Sequence, residues 1–216
     1  MPLDTFLFDL DGTLIDSIDL ILRSYRHTMR IHRANEPLPS DDVWMQGLGT
    51  PLRVQFRHWT HDTAEIDAMV ATYREYNLSH HDQLAKPYEG VTPAVLALHA
   101  TGKRLGIVTS KFKAGAQRGL KLVGLDRAFE IIVGADNVTH PKPHPEPVLK
   151  ALELLDADPE RTVFIGDSRH DLVCGRAAGV KTAAVLWGPF NRSHLEDLAP
   201  DYWLEKPAQL AQLYDS

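Results

Sequence analysis

One cysteine in 216 residues, Cys174, leaves no partner for an internal disulfide. Positive charge is short as well. The chain has 23 Lys and Arg against 29 Asp and Glu, a formal net charge of −6, which repels polyanions at long range and argues against a general nucleic-acid binder. Charge or glycine interrupts every apolar run before it reaches the ~18 residues needed to cross a bilayer, so no membrane embedding is expected. The start, MPLDTFLFD, carries neither a basic leader nor a cleavable apolar stretch. Together with the single cysteine, it predicts a cytoplasmic protein. Glycine and proline, 14 of each, are too few for a collagen-like or linker-dominated chain. The 44% apolar and 24% charged residues make an ordinary globular composition with enough apolar side chains for a core.

Short apolar runs at 5–8, 105–109, 131–133, 162–165 and 183–186 are unbroken rather than alternating, which suits strands covered on both faces of a parallel sheet. Helical stretches lie between them. Thr92 before Pro93 reads as an N-cap, with Gly102 as the stop; 114–123 ends at Gly124, and 172–178 ends at Gly179. Val148, Leu149, Leu152 and Leu155 share one side of a helix over 145–155. This alternation predicts an α/β fold: a doubly wound parallel sheet with a ligand crevice at the carboxyl ends of its strands. The region after the first strand breaks the pattern, because about eighty residues without a strand are too many for a loop. Ile18, Ile21, Leu22, Tyr25 and Met29 recur at helical spacing, as do Ile66, Met69, Val70 and Tyr73. The expected division is an α/β core of 1–15 and 88–216 and a helical insert of 16–87. The insert would stand over the strand ends and hinge near 15–17 and 85–88.

Four motifs bear on chemistry. In Phe8-Asp9-Leu10-Asp11-Gly12-Thr13 two carboxylates two apart follow an apolar strand, so alternation aims both the same way. Gly12 would let the backbone approach an anion. A solvated acidic turn or a calcium loop fits the same letters. In Gly166-Asp167-Ser168-Arg169-His170-Asp171 two acids four apart again follow a strand, and Asp171 would open or cap the next helix. Acidic strand ends meeting in one crevice cannot all ionise without compensation. A cation resolves the conflict, and all-oxygen ligands favour Mg²⁺. Gly106 to Ser110 ends in hydroxyls, where Thr109, Ser110 and adjacent N–H groups suit phosphate oxygens or a plain helix cap. Finally, Lys142 stands between prolines in His140-Pro141-Lys142-Pro143-His144-Pro145, which fix the loop and aim one ammonium inward.

DxDGT, a strand ending in Thr-Ser, a lysine in a Pro-rich loop and GDSxxD, in this order and each after a strand, resemble the haloacid dehalogenase superfamily of phosphohydrolases. The resemblance covers the whole chain and implies a Rossmann-like core with a small α-helical cap inserted after the first strand. Within the superfamily the phosphoglycolate phosphatase and pyrophosphatase group is the most similar. Residues 73–77, 80–82, 142–147 and 151–156 carry that likeness. The resemblance implies Asp9 as nucleophile and Asp11 as acid and base. It also implies Gly12, Thr109, Ser110 and Lys142 around the phosphate, and Mg²⁺ held by Asp9, Asp11 through its carbonyl, Asp167 and Asp171. The acid at position 11 argues for phosphate rather than carbon–halogen chemistry.

The implied partner is a small phosphorylated molecule, with inorganic pyrophosphate and 2-phosphoglycolate the leading candidates. Selection would rest with the insert, where Gly47, Gly49 and Arg53, with His80 or His81, are candidate contacts to a second anion. Arg23, Arg26, Arg30, Arg33 and Arg57 show, however, that basic residues on this insert also fit a solvated face. Two other functions compete. A sugar phosphomutase of the β-phosphoglucomutase type shares the core motifs, and a noncatalytic phosphate-binding protein would have lost at least one of them. Trp44, Trp59, Trp187 and Trp203 fit core, hinge or an interface between copies, so no oligomeric state follows.

Overall fold

The computed structural model describes residues 2–214. Strand β1 (Thr5–Phe8) leads into a two-residue strand β2 (Ile15–Asp16). Helices α1 (Ile18–His32), α2 (Asp41–Gln46), α3 (Leu52–Phe56) and α4 (Thr63–Leu84) follow before β3 (Lys86–Pro87) returns the chain. From there helices and strands alternate: α5 (Val91–Ala100), β4 (Arg104–Val108), α6 (Lys113–Leu122), β5 (Ile131–Val133), α7 (Glu146–Leu155), β6 (Thr162–Gly166), α8 (Arg169–Ala177), β7 (Lys181–Val185) and β8 (Tyr202–Leu204). The six-stranded sheet has the order β5-β4-β1-β6-β7-β8, with every pair parallel. The expected doubly wound sheet is therefore present. None of the described helices is long and apolar enough to cross a membrane.

Burial explains why these strands read as unbroken apolar runs. On β1, Phe6 and Phe8 face one layer with Val91, Val95 and Leu98 of α5 and Leu120 of α6. Leu7 faces the other layer with Val148, Leu152 and Leu155 of α7 and Cys174 of α8. Each such side chain contributes roughly 1.5–3 kcal/mol by leaving water, so alternate residues of one strand hold both helical layers. The helices between β2 and β3 have a separate core, in which Tyr25, Trp44, Phe56, Met69 and Tyr73 are buried together. Tyr25 and Trp44 stack with ring centroids 4.4 Å apart.

Several elements differ from expectation. Helix α5 starts at Val91 after Gly90, whose φ of +80° only glycine adopts readily. Thr92 is thus inside the helix, where its hydroxyl donates to the Val123 carbonyl instead of capping. Helix α8 starts at Arg169 rather than 172, because Ser168 and Asp171 form a capping box ahead of the apolar stretch. The short strands β2 and β3 have no apolar run to announce them, and β8, with the three-residue run Tyr202–Leu204, adds a further strand to those expected. Ile15 pairs with Pro87 and Asp16 with Lys86 in an antiparallel ribbon, where the chain enters and leaves the inserted helices.

The sheet register places the motifs. Phe8 lies level with Ile107 of β4 and Ile165 of β6, so Asp9, Thr109 and Asp167 emerge together beyond the carboxyl ends of three adjacent strands.

Candidate active site

Three of the four acids named from sequence converge. Carboxylate oxygens of Asp9, Asp167 and Asp171, all buried, lie within 4.8 Å of one another. Lys142 closes the group: its Nζ donates to Asp9 Oδ1 at 2.8 Å and to Asp171 Oδ1 at 2.6 Å. The second Asp171 oxygen accepts from Ser168 N at 3.0 Å and Ser168 Oγ at 2.6 Å. Asp171 thus caps its helix and pairs with the lysine at once. Thr13 Oγ1 donates to Asp167 Oδ1 at 3.0 Å, whereas Asp167 Oδ2 is buried without a hydrogen-bond partner.

Three buried carboxylates against one ammonium leave an electrostatic deficit. Burial pushes the Asp9 carboxyl up to about 7 against the pull of Lys142, and the neighbouring Asp171 adds to the rise. Burial, then the charges of Asp171 and Asp9, drive Asp167 well above the usual carboxylate range. Burial alone would lower Lys142, but Asp171 and Asp9 outweigh it and hold the ammonium charged. A hard divalent cation fits this donor set, since every candidate ligand is oxygen and Asp167 Oδ2 is left unsatisfied.

The fourth acid is elsewhere. Asp11 Oδ1 accepts from Ser17 Oγ and, at 2.6 Å, from Lys111 Nζ, so its side chain turns from the acidic cluster. Burial would raise it, yet the Lys111 charge and hydrogen bond bring its pKa below the ordinary value. Thr109 is buried at the end of β4, its Oγ1 accepting from Lys111 N at 3.2 Å. Gly12 has φ +87°, and a Cβ there would lie 2.5 Å from Asp167 Oδ2. Gly12→Ala is therefore expected to lower stability by about 1–3 kcal/mol and to displace the unsatisfied oxygen. Thermal melting and turnover are the measurements, and an unchanged Tm with full activity would contradict the tight packing.

The glycine loop of the insert reaches this site. Ser110 Oγ donates to the Gly49 carbonyl, and His170 Nδ1 bonds Leu48 O at 3.1 Å. A Cβ on Gly49 would stand 2.9 Å from Ser168 Oγ. Gly47 packs instead on the Gln55 side chain. Arg53 is not gathered in, because it pairs with Asp67 of α4 on the same insert. Of the two histidines, His80 stacks on Tyr76 with centroids 4.1 Å apart, whereas His81 is buried with Nδ1 on Asp82 Oδ1 at 2.8 Å and Nε2 without a hydrogen-bond partner, near enough for its charge to act on Asp11. The sequence assigns no role to Lys111, Ser17, Thr13 or Ser168, although Thr13 and Ser168 stand inside the two acidic motifs. For Lys111 the signal was its place directly after Thr109-Ser110.

The chain matches the sequence profile of haloacid dehalogenase-like hydrolases over residues 6–185. It belongs to that family. Its relatives include proteins named Pyrophosphatase PpaX. One from Anoxybacillus flavithermus is 45% identical over 213 residues, covering 99% of this chain and 97% of the relative. One from Bacillus mycoides is 44% identical over 210 residues, covering 97% and 96%. Among solved structures, a hydrolase of the haloacid dehalogenase-like family from Streptococcus pneumoniae superimposes with a TM-score of 0.84 at 26% identity, covering 97% of each chain. CbbY from Rhodobacter sphaeroides, solved with phosphate, shares the fold at a TM-score of 0.85 and 21% identity, covering 99% of this chain and 100% of its own. This haloacid dehalogenase-like hydrolase is a phosphatase, and its acidic cluster can hold a divalent metal.

Proposed function

We propose that the protein is a Mg²⁺-dependent phosphohydrolase that cleaves inorganic pyrophosphate through an aspartyl phosphate on Asp9. The observation that carries this reading is the buried cluster of Asp9, Asp167 and Asp171, with its unsatisfied Asp167 oxygen and Lys142 as its one bonded ammonium. The choice of pyrophosphate is supported by the relatives named Pyrophosphatase PpaX, one of them 45% identical. Asp167 Oδ2 and Asp9 would hold Mg²⁺ with the Asp11 carbonyl. Both oxygens of Asp171 are occupied by Lys142 and Ser168, so it would act through water. When bound, Mg²⁺ neutralises the phosphate charge and orients the attack.

The chain's own groups perform the rest. An Asp9 oxygen forms a bond to phosphorus as the bond to the bridging oxygen breaks, and Asp11 gives that oxygen a proton. Lys142, Thr109 and Ser110 hold the equatorial oxygens while Gly12 lets the backbone approach. Water then attacks the aspartyl phosphate, Asp11 takes its proton, and phosphate leaves with Asp9 restored. Residues 16–87 serve as a cap that closes over the substrate, with the β2–β3 ribbon as its hinge.

Lys111 has a part in selection. Its bond to Asp11 keeps that acid ionised. An outer phosphate that draws the ammonium away releases Asp11 upward, to where it can donate. Lys111→Met is expected to lower kcat/KM for pyrophosphate by about 10–100-fold. It should do far less to p-nitrophenyl phosphate, which has no second anion. Equal losses on both would remove Lys111 from selection. The overall test is phosphate release with Mg²⁺ from pyrophosphate, 2-phosphoglycolate, sugar phosphates and nucleotides, without a bisphosphate activator. Pyrophosphate is expected to have the highest kcat/KM. A better substrate from another class would overturn the substrate, and no release at all would overturn the reaction.

A further inference from the structure

We propose that His140, His144 and Glu146 form a second metal site, for a borderline divalent transition metal of the Zn²⁺ type, on the loop that carries Lys142. One ligand atom from each of the three lies within 4.8 Å of the others. The two imidazoles face each other with centroids 4.7 Å apart, tilted by 35°. His140 Nδ1 is already 2.8 Å from Glu146 Oε2. Glu146 is also aimed by its backbone contacts, accepting from Thr139 N at 2.7 Å and His140 N at 2.8 Å.

The donor set distinguishes this site from the acidic cluster. Two imidazoles and one carboxylate are the ligands that hold Zn²⁺ with a position left open, whereas Mg²⁺ prefers oxygen throughout. A metal on His140 Nδ1 takes the place of the hydrogen bond that this nitrogen makes with Glu146, and the neutral ring then carries its one proton on Nε2. Access is unobstructed, because the His140 side chain is 65% exposed. Prolines at 141, 143 and 145 restrict the backbone between the ligands, so little chain entropy is lost on binding.

The consequence falls on Lys142, which lies between the two histidines and points the other way, into the acidic cluster. The loop is further fastened to α8, where Cys174 Sγ donates to the His144 carbonyl at 3.1 Å. A metal across 140, 144 and 146 would stiffen the backbone on both sides of the lysine. The inference does not depend on which phosphorylated substrate is used.

The test compares wild type, His140→Ala/His144→Ala and Glu146→Gln, each titrated with Zn²⁺ by calorimetry in excess Mg²⁺. Wild type is expected to bind one Zn²⁺ more than the double variant. Glu146→Gln should keep the site but weaken it by about tenfold or more. With Cu²⁺ as a spectroscopic probe, wild type should show nitrogen coupling in its electron paramagnetic resonance spectrum that the double variant lacks. Zn²⁺ should also slow amide exchange at 139–146 in wild type alone. Equal stoichiometry in wild type and double variant, or exchange at 139–146 indifferent to Zn²⁺, would overturn the proposal. His144→Ala alone repeats the comparison should the double variant melt early.

Discussion

Asp9→Asn is expected to abolish phosphate release, with a loss of at least about 10⁴-fold in kcat, because an amide cannot become the phosphorylated group. The same substitution should not harm the fold. Asn keeps an acceptor for Lys142 at the position now 2.8 Å from its Nζ, and it removes one of three buried carboxylates that repel one another. In the absence of divalent cations the variant is therefore expected to melt several degrees above wild type. Activity and stability would move in opposite directions, which a merely misfolded variant cannot reproduce. Retained turnover in Asp9→Asn would eliminate the covalent route.

Lys142→Ala should have the largest effect on stability. It strips the ammonium from Asp9 and Asp171 and leaves the acidic cluster uncompensated in a buried site. Breaking such a pair from one side lowers stability by about 3–5 kcal/mol, on the order of 10 °C for a chain of this size. Added Mg²⁺ is expected to recover part of that loss, since the cation and the lysine answer the same excess of negative charge. Melting curves with Mg²⁺ and with chelator make the comparison. An unchanged Tm in chelator would mean that the cluster is not held ionised.

How much of this could be read from the letters differed from residue to residue. Asp9, Thr109 and Asp167 are legible because each stands at or just beyond the end of an unbroken apolar run, and parallel register brings such positions to one edge. Lys142 was visible by its prolines. Lys111 and Ser17 were not, because their meeting at Asp11 depends on how the chain turns after Gly12 and after β4. Arg53 shows the converse: a positive charge on the insert suggested an anion, but the side chain had a nearer carboxylate in Asp67. Strand β8, Tyr202 to Leu204, is no shorter than β5, but its Trp203 fits core, hinge or interface equally, so no strand follows from it.

The two bonds that anchor the insert's glycine loop to the core, from Ser110 to Gly49 and from His170 to Leu48, both end on main-chain carbonyls. Docking of that loop thus depends on the path of its backbone, which needs glycine at 49, where φ is +93° and a Cβ would press on Ser168. Leu48 is held in the insert's own core, whereas Thr50 is only partly buried, so a library varied at Thr50 could retune preference among small anions while the loop stays docked, which makes that position the natural starting point for redesign.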